Sequence, residues 1–150
     1  MATIESEEPA LVFPGLAGFY ASVSNLWYPL IRIAVGGILF VHGWQKVTGS
    51  GLAGTSGFMA KHGFVPATGF AAAAIFLETV GAACLVLGLF TRVFAAAIAI
   101  EMAFIAFAVM IPRGGFHAME YTLMWGIICF AIALRGGGPY SLDRAIGKEI

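Results

Sequence analysis

Four apolar runs alternate with short polar breaks along this chain. The first covers residues 27–47, WYPLIRIAVGGILFVHGWQKV, and ends at TGSG. The second covers residues 67–90 and opens after Pro66. Thr91-Arg92 separates it from the third, residues 93–111, and Pro112-Arg113-Gly114-Gly115 precedes the fourth, residues 116–134. At ~1.5 Å rise per residue each run can cross a hydrocarbon core of ~30 Å. The short second and third connections favour antiparallel neighbours. The pattern therefore predicts an all-α integral membrane four-helix bundle in up-down-up-down order.

The polar residues inside these runs follow helical spacing. At about 100° per residue, Lys46 falls about 40° and His42 about 80° from Arg32, on the same side. Gly36, Leu39 and Gly43 lie within or beside that arc, whereas Ile33, Ile38, Phe40 and Val41 lie off it. In the second run Ala71, Ala74, Gly81 and Leu85 share the face of Glu78. Small residues and polar groups on one stripe mark the side a membrane helix turns toward other helices. Glu101 sits near the centre of the third run. His117 and Glu120, three apart, open the fourth.

Outside the bundle, 27–135, the chain divides into a tail and possible interfacial segment, 1–26, and a polar C-terminal tail, 136–150, expected to leave the membrane. Residues 1–12 read as loosely ordered. Residues 13–25 mix aromatics with Gly and Ser and are too short to span. Trp27 and Tyr28 suit an aromatic belt at headgroup depth. The first loop, 48–66, predicts a short interfacial helix, capped by Thr55 or Ser56 and closed at Gly63.

Composition sharpens this picture. Hydrophobic residues make up 60% and charged residues 11%, well below the ~25% charged of a soluble domain, so the balance itself points to membrane. The net charge of zero, with no basic block, argues against nucleic acid as a partner. The acidic start, MATIESEEPA, lacks the basic opening of a signal peptide, and the chain reads as mature from Met1. Arg92, Arg135, Arg144 and Lys148 fall on the side of the termini, against Lys46, Lys61 and Arg113 opposite. Four against three favours cytoplasmic termini. Cys84 and Cys129 sit in apolar runs with no CxxC, and read as small buried hydrophobes; the alternative is a redox pair, which requires that the two helices bring them together.

Ionisable groups at membrane depth cost about 2.5–3.5 kcal/mol each on insertion scales, so each requires a reason. Arg32 and Glu78 are expected to form a buried ion pair that fixes helix order; the alternative is a proton or substrate relay that includes Glu101. His42, His117 and Glu120 lie toward one surface. Two imidazoles and a carboxylate suit a divalent metal with an open position for substrate, but no strong metal signature is present and His117-x-x-Glu120 is a weak one. The same groups suit a quinone: imidazole donates to a carbonyl oxygen, Glu120 takes a proton, and Trp44 and Phe116 stack on the ring. The expected site thus has His42 and Glu120 as catalytic residues, with Arg32, Trp44, Lys46, Glu78 and His117 binding substrate.

These residues resemble the DoxX family of small four-span membrane proteins. The resemblance rests on Arg32, Gly37-Ile38-Leu39-Phe40, His42-Gly43-Trp44-Gln45-Lys46 and Gly63-Phe64-Val65-Pro66. Glu78 with Gly81, Leu87-Gly88-Leu89-Phe90-Thr91-Arg92 and Glu120 continue it, and Gly138-Pro139-Tyr140-Ser141-Leu142-Asp143 closes it. It implies association with a membrane redox complex, so that quinone is the expected cofactor. The expected setting is the bacterial cytoplasmic membrane, with lipid, a redox partner subunit and a homo-oligomer as possible partners. Some relatives carry a paired-cysteine motif; this chain lacks it. A non-enzymatic anchor or assembly factor, and a small-solute or proton conduit, are the alternative readings.

Overall fold

A computed structural model describes residues 11–148. The expectation for the first ten residues lies outside it. Among the described residues every regular element is helical. A 3₁₀ turn, Pro14–Leu16, leads into α1, Ala17–Val23. Helix α2 is Trp27–Gln45 and runs through a π turn, Lys46–Ser50, into α3, Gly51–Lys61. Helix α4, Ala67–Leu87, contains a second π turn at Leu77–Gly81. Helix α5, Thr91–Phe104, continues through a third, Ile105–Met110, into α6, Ile111–Arg135. A short α7, Leu142–Ile146, ends the described chain.

Two helical runs, Ala67–Leu87 and Thr91–Arg135, are long and apolar enough to cross a membrane; the pair Pro14–Val23 and Trp27–Lys61, bent by 48°, brings the total to three if it counts as one span. The 45 residues of Thr91–Arg135 would extend about 67 Å as one straight rod, over twice a hydrocarbon core. They do not. Gly114 and Gly115 leave helical geometry, with Gly115 at φ +65°, a conformation open to glycine. The two limbs fold against each other: Arg92 near the start of α5 donates to carbonyls at the end of α6, and Gly126 packs against Met102.

Helices α2 and α4 also run antiparallel, and glycines set their spacing. A Cβ on Gly36 would meet Ala82 O at 2.8 Å, and one on Gly43 would collide with the Glu78 backbone. This is the close approach that small residues permit between membrane helices. Tyr28, Val35, Leu39, Leu85, Ile98, Met102, Cys129 and Ile132 fill the core between α2, α4, α5 and α6. Met59 of α3 packs on Ala71 and Ala74 of α4 in a separate small cluster. The α3 segment is thus a flap over the first half of α4. Its N-cap is Ser50 with no side-chain capping bond, while Thr55 donates to Gly51 O within the helix. The expected caps, Thr55 and Ser56, are therefore interior residues.

The C-terminal segment does not lead away. Ser141 and Asp143 are buried, and the backbone of Asp143 donates to Gly88 O at 2.9 Å. Residues 136–146 fold back onto the turn between α4 and α5. Leu30, Ile100, Phe107, Ile127, Phe130 and Leu134, each more than half exposed, face outward from the long helices.

Candidate functional site

All three π turns meet at one cavity. A π turn holds more residues per turn than an α-helix, which widens the helix and re-aims its side chains. Lys46 comes from the first, Glu78 from the second, and Ile105 and Met110 from the third; all line a cavity of about 410 Å³. Leu39 and His42 of α2 and Met102 of α5 add to the wall. Tyr121, Thr122 and Trp125 of α6 complete it.

The polar part of this wall is incompletely paired. Lys46 Nζ donates to Glu78 Oε1, forming an ion pair whose lysine is 30% exposed and whose glutamate is 4% exposed. Glu78 Oε2 is buried without a partner, and so are both carboxyl oxygens of Glu101 on the adjoining face of α5. Glu78 and Lys46 both act electrostatically on Glu101. Nearly all buried polar groups in folded proteins find partners, so the orphaned Glu78 oxygen in this wall marks a place where a ligand or water belongs; Glu101 lines a neighbouring cavity instead.

The expected ion pair between Arg32 and Glu78 is not formed. Arg32 is fully buried, but its guanidinium donates to Gly137 O and to Tyr140 O, the latter at 2.9 Å. The reason is register. Gly43 lies against Glu78, and Arg32 lies against Gly88. Ten residues of helix, about 15 Å, separate Glu78 from Gly88. Lys46, one turn beyond Gly43, is the cation at the level of Glu78.

Nor are His117 and Glu120 brought to His42. Both are exposed on α6 and neither lines the cavity. The inward face of α6 carries Gly126, Cys129 and Ile132. His117 stands nine residues before Gly126 and Glu120 nine before Cys129, each about 180° around the helix from it. Trp44 is half exposed and stacks on Phe40, with centroids 6.2 Å apart, instead of entering the cavity. Phe116 is exposed and edges against His117. Among the described residues, no three His, Cys, Asp or Glu side chains converge closely enough to hold a metal ion. Cys84 and Cys129 are free thiols.

A second polar centre lies where the expected substrate residue Arg32 was found. Asp143 accepts from the backbone N–H of Phe90 at 2.7 Å and of Thr91 at 2.9 Å, placing a carboxylate on the N-terminus of α5. Arg92 donates to Ala133 O and Leu134 O at 3.1 and 2.7 Å, placing a cation on the C-terminus of α6. Tyr28 Oη donates to Gly136 O, and Arg135 lies over the rings of Trp27 and Tyr28. Gly88, at φ +68°, leaves no room for a side chain, because Arg32 and Ser141 occupy that space.

Against known proteins, the DoxX family model matches residues 28–111. That stretch includes Arg32, His42, Lys46, Glu78 and Glu101; Glu120 and the 138–143 motif lie beyond it. No curated protein and no solved structure matches the chain.

Proposed function

This chain belongs to the DoxX family and is a membrane protein, and from that premise we propose that it serves as a membrane subunit of an oxidoreductase system, holding a quinone or another small redox molecule in the His42 cavity. One observation carries the reading: three helices widen into π turns around the same space and place His42 and the Lys46–Glu78 pair in its wall. A volume of about 410 Å³ falls in the range of small-molecule sites, about 300–1,000 Å³. Trp125 and Tyr121 offer aromatic faces to a planar ring. His42 and Lys46 offer donors to a carbonyl oxygen, and Glu78 offers an acceptor for a proton. The role first expected of Glu120 passes to Glu78. In this reading electrons come from a partner subunit.

In this reading the four apolar runs each cross the bilayer, in up-down-up-down order, with both termini on the cytoplasmic side of a bacterial inner membrane. The antiparallel pairs α2 with α4 and α5 with α6 support the crossing order. The four-to-three charge bias supports the orientation. Reporter fusions after residues 50, 113 and 150 should place the first two outside and the last inside.

The decisive experiment is mass spectrometry of lipid-soluble molecules co-purifying with the protein. A quinone should be present with wild type and lost with His42→Ala, while that variant stays monodisperse. Retention of the same quinone by His42→Ala would remove this cavity as its site. Absence of any redox molecule from wild type would favour the anchor or assembly role.

A further inference from the structure

A second cavity, of about 200 Å³, lies between α3, α4 and α5. Met59 and Ala74 are its buried side, and Phe64, Phe70 and Phe104 bring three aromatic rings to it. Ile105 lines both this cavity and the His42 cavity and stands between them. Among the residues lining the smaller one, Glu101 alone has a polar side chain. Both of its carboxyl oxygens are buried and neither has a hydrogen-bond partner. Its charged and titratable neighbours are Glu78 on α4, Lys46 beyond α2 and Cys129 on α6. Lys46 is already bound to Glu78.

The chemistry of that carboxyl defines its complement. Ionised, it only accepts hydrogen bonds, so the partner that would hold it in that form is a donor. Three phenyl rings line the same cavity and favour a cationic donor over a neutral one, because a ring face attracts positive charge. Ile100 and Phe104, both more than half exposed, line the cavity at the outer surface of the helices. Entry is therefore from an apolar surface, which selects a ligand with an apolar body.

We propose that this cavity binds a small apolar organic cation, an aryl- or alkylammonium, whose N–H donates to Glu101 and whose body packs on Phe64, Phe70 and Phe104. This site is separate from the His42 cavity and does not rest on a redox role for the protein.

The test is calorimetric titration of full-length protein in nanodiscs with 2-phenylethylammonium chloride, and with 2-phenylethanol as a neutral counterpart of the same shape. Wild type should bind the ammonium saturably at one site per chain, about tenfold tighter than the alcohol. Glu101→Gln should weaken the ammonium about tenfold and leave the alcohol unchanged. His42→Ala should leave both unchanged, which separates this site from the redox cavity. Phe104→Leu, at the exposed rim, guards against misfolding of Glu101→Gln and should cost the ammonium about threefold with the alcohol unchanged. Non-saturable uptake, equal affinity for the two probes, or equal binding by wild type and Glu101→Gln would each overturn the proposal.

Discussion

At one end of the molecule Arg32 and Asp143 are 0% and 3% exposed, and the loops around them satisfy almost every charged atom. Near the middle of the long helices Lys46, Glu78 and Glu101 carry the same kinds of charge, and three carboxyl oxygens there have no partner. The difference lies in the backbone available to each. Residues 88–90 and 136–141 are turns whose carbonyls and N–H groups are not committed to a helix, so they receive Arg32, Tyr28 and Asp143. At the second centre the surrounding backbone belongs to long helices and is largely spent on itself, as the bilayer interior demands. A carboxyl there depends on another side chain or on a ligand. One centre is a latch, with Arg32 Nε and Thr91 Oγ1 the buried side-chain atoms left over there among the described residues; under the proposed function the other is a receptacle.

The comparison breaks most easily at Arg32. Arg32→Met strands the Gly137 and Tyr140 carbonyls and removes the positive charge beside Asp143. A loss of about 3–5 kcal/mol is expected, because two hydrogen bonds from a charged group, each about 1.5–3 kcal/mol, are lost. Chemical denaturation of the detergent-solubilised protein would register it. Arg32→Lys should not restore the loss, since an ammonium cannot reproduce a fork that reaches two separate carbonyls. A stable Arg32→Met protein would mean that the C-terminal segment is not a latch.

Glu78→Gln should act mainly on the ligand. Lys46 is 30% exposed and can turn to water, so the stability cost is about 1 kcal/mol or less. Binding of a short-chain quinone should weaken about tenfold. In a double-mutant cycle, Arg32→Met and Glu78→Gln should add within about 0.5 kcal/mol, because the two residues share no partner. A coupling well above that would restore the pairing of Arg32 with Glu78.

That pairing shows how far the sequence could be read. The polar stripe of residues 32, 36, 39, 43 and 46 faces the neighbouring helix as its spacing predicts, and Gly36 and Gly43 make the contact. Spacing within one helix says which side is buried but not how far the neighbour is shifted along it. Arg32 and Lys46 were both available to Glu78, and only the seating of Gly43 on the Glu78 backbone selects Lys46. The latch was legible in part: Arg32, the 87–92 stretch and the 138–143 stretch were each singled out, and folding joins them into one structure. The π turns were not legible, because no side-chain pattern at residues 46–50, 77–81 or 105–110 distinguishes them from α-helix. Tyr121, Thr122 and Trp125 were missed for a simpler reason. The charged residues of the fourth run drew attention to its outer face, while its inner face follows Gly126, Cys129 and Ile132 back toward Thr122.

Glu101 sharpens the contrast in the opposite direction. A buried carboxyl with no partner weakens the fold, so Glu101→Met, similar in size and free of polar atoms, should raise stability by about 1 kcal/mol. The same change at Asp143 should lower it severely, because Asp143 caps α5 through two N–H groups. A destabilised Glu101→Met protein would show that the carboxyl has a structural partner and would close the receptacle reading.

The smallest effect belongs to Glu120. Sequence spacing placed it beside His42 as the residue that takes a proton, whereas it lies on the exposed face of α6, half a turn from the residues that face the core. The wall of the cavity at that level is Tyr121, Thr122 and Trp125. A side chain on the outer face makes no contact with a ligand held among these three, and its substitution leaves no buried atom unpaired. Glu120→Gln should therefore change neither stability, by more than about 0.5 kcal/mol, nor quinone binding, nor any quinone-linked turnover. Thr122→Val, one helical position away from the neighbouring Tyr121, should alter ligand affinity while Glu120→Gln does not. If Glu120→Gln instead slowed turnover with binding intact, α6 would have to rotate by about half a turn to bring the carboxyl inward. The set Gly126, Cys129 and Ile132 would then face outward, and the packing of Gly126 on Met102 would be lost.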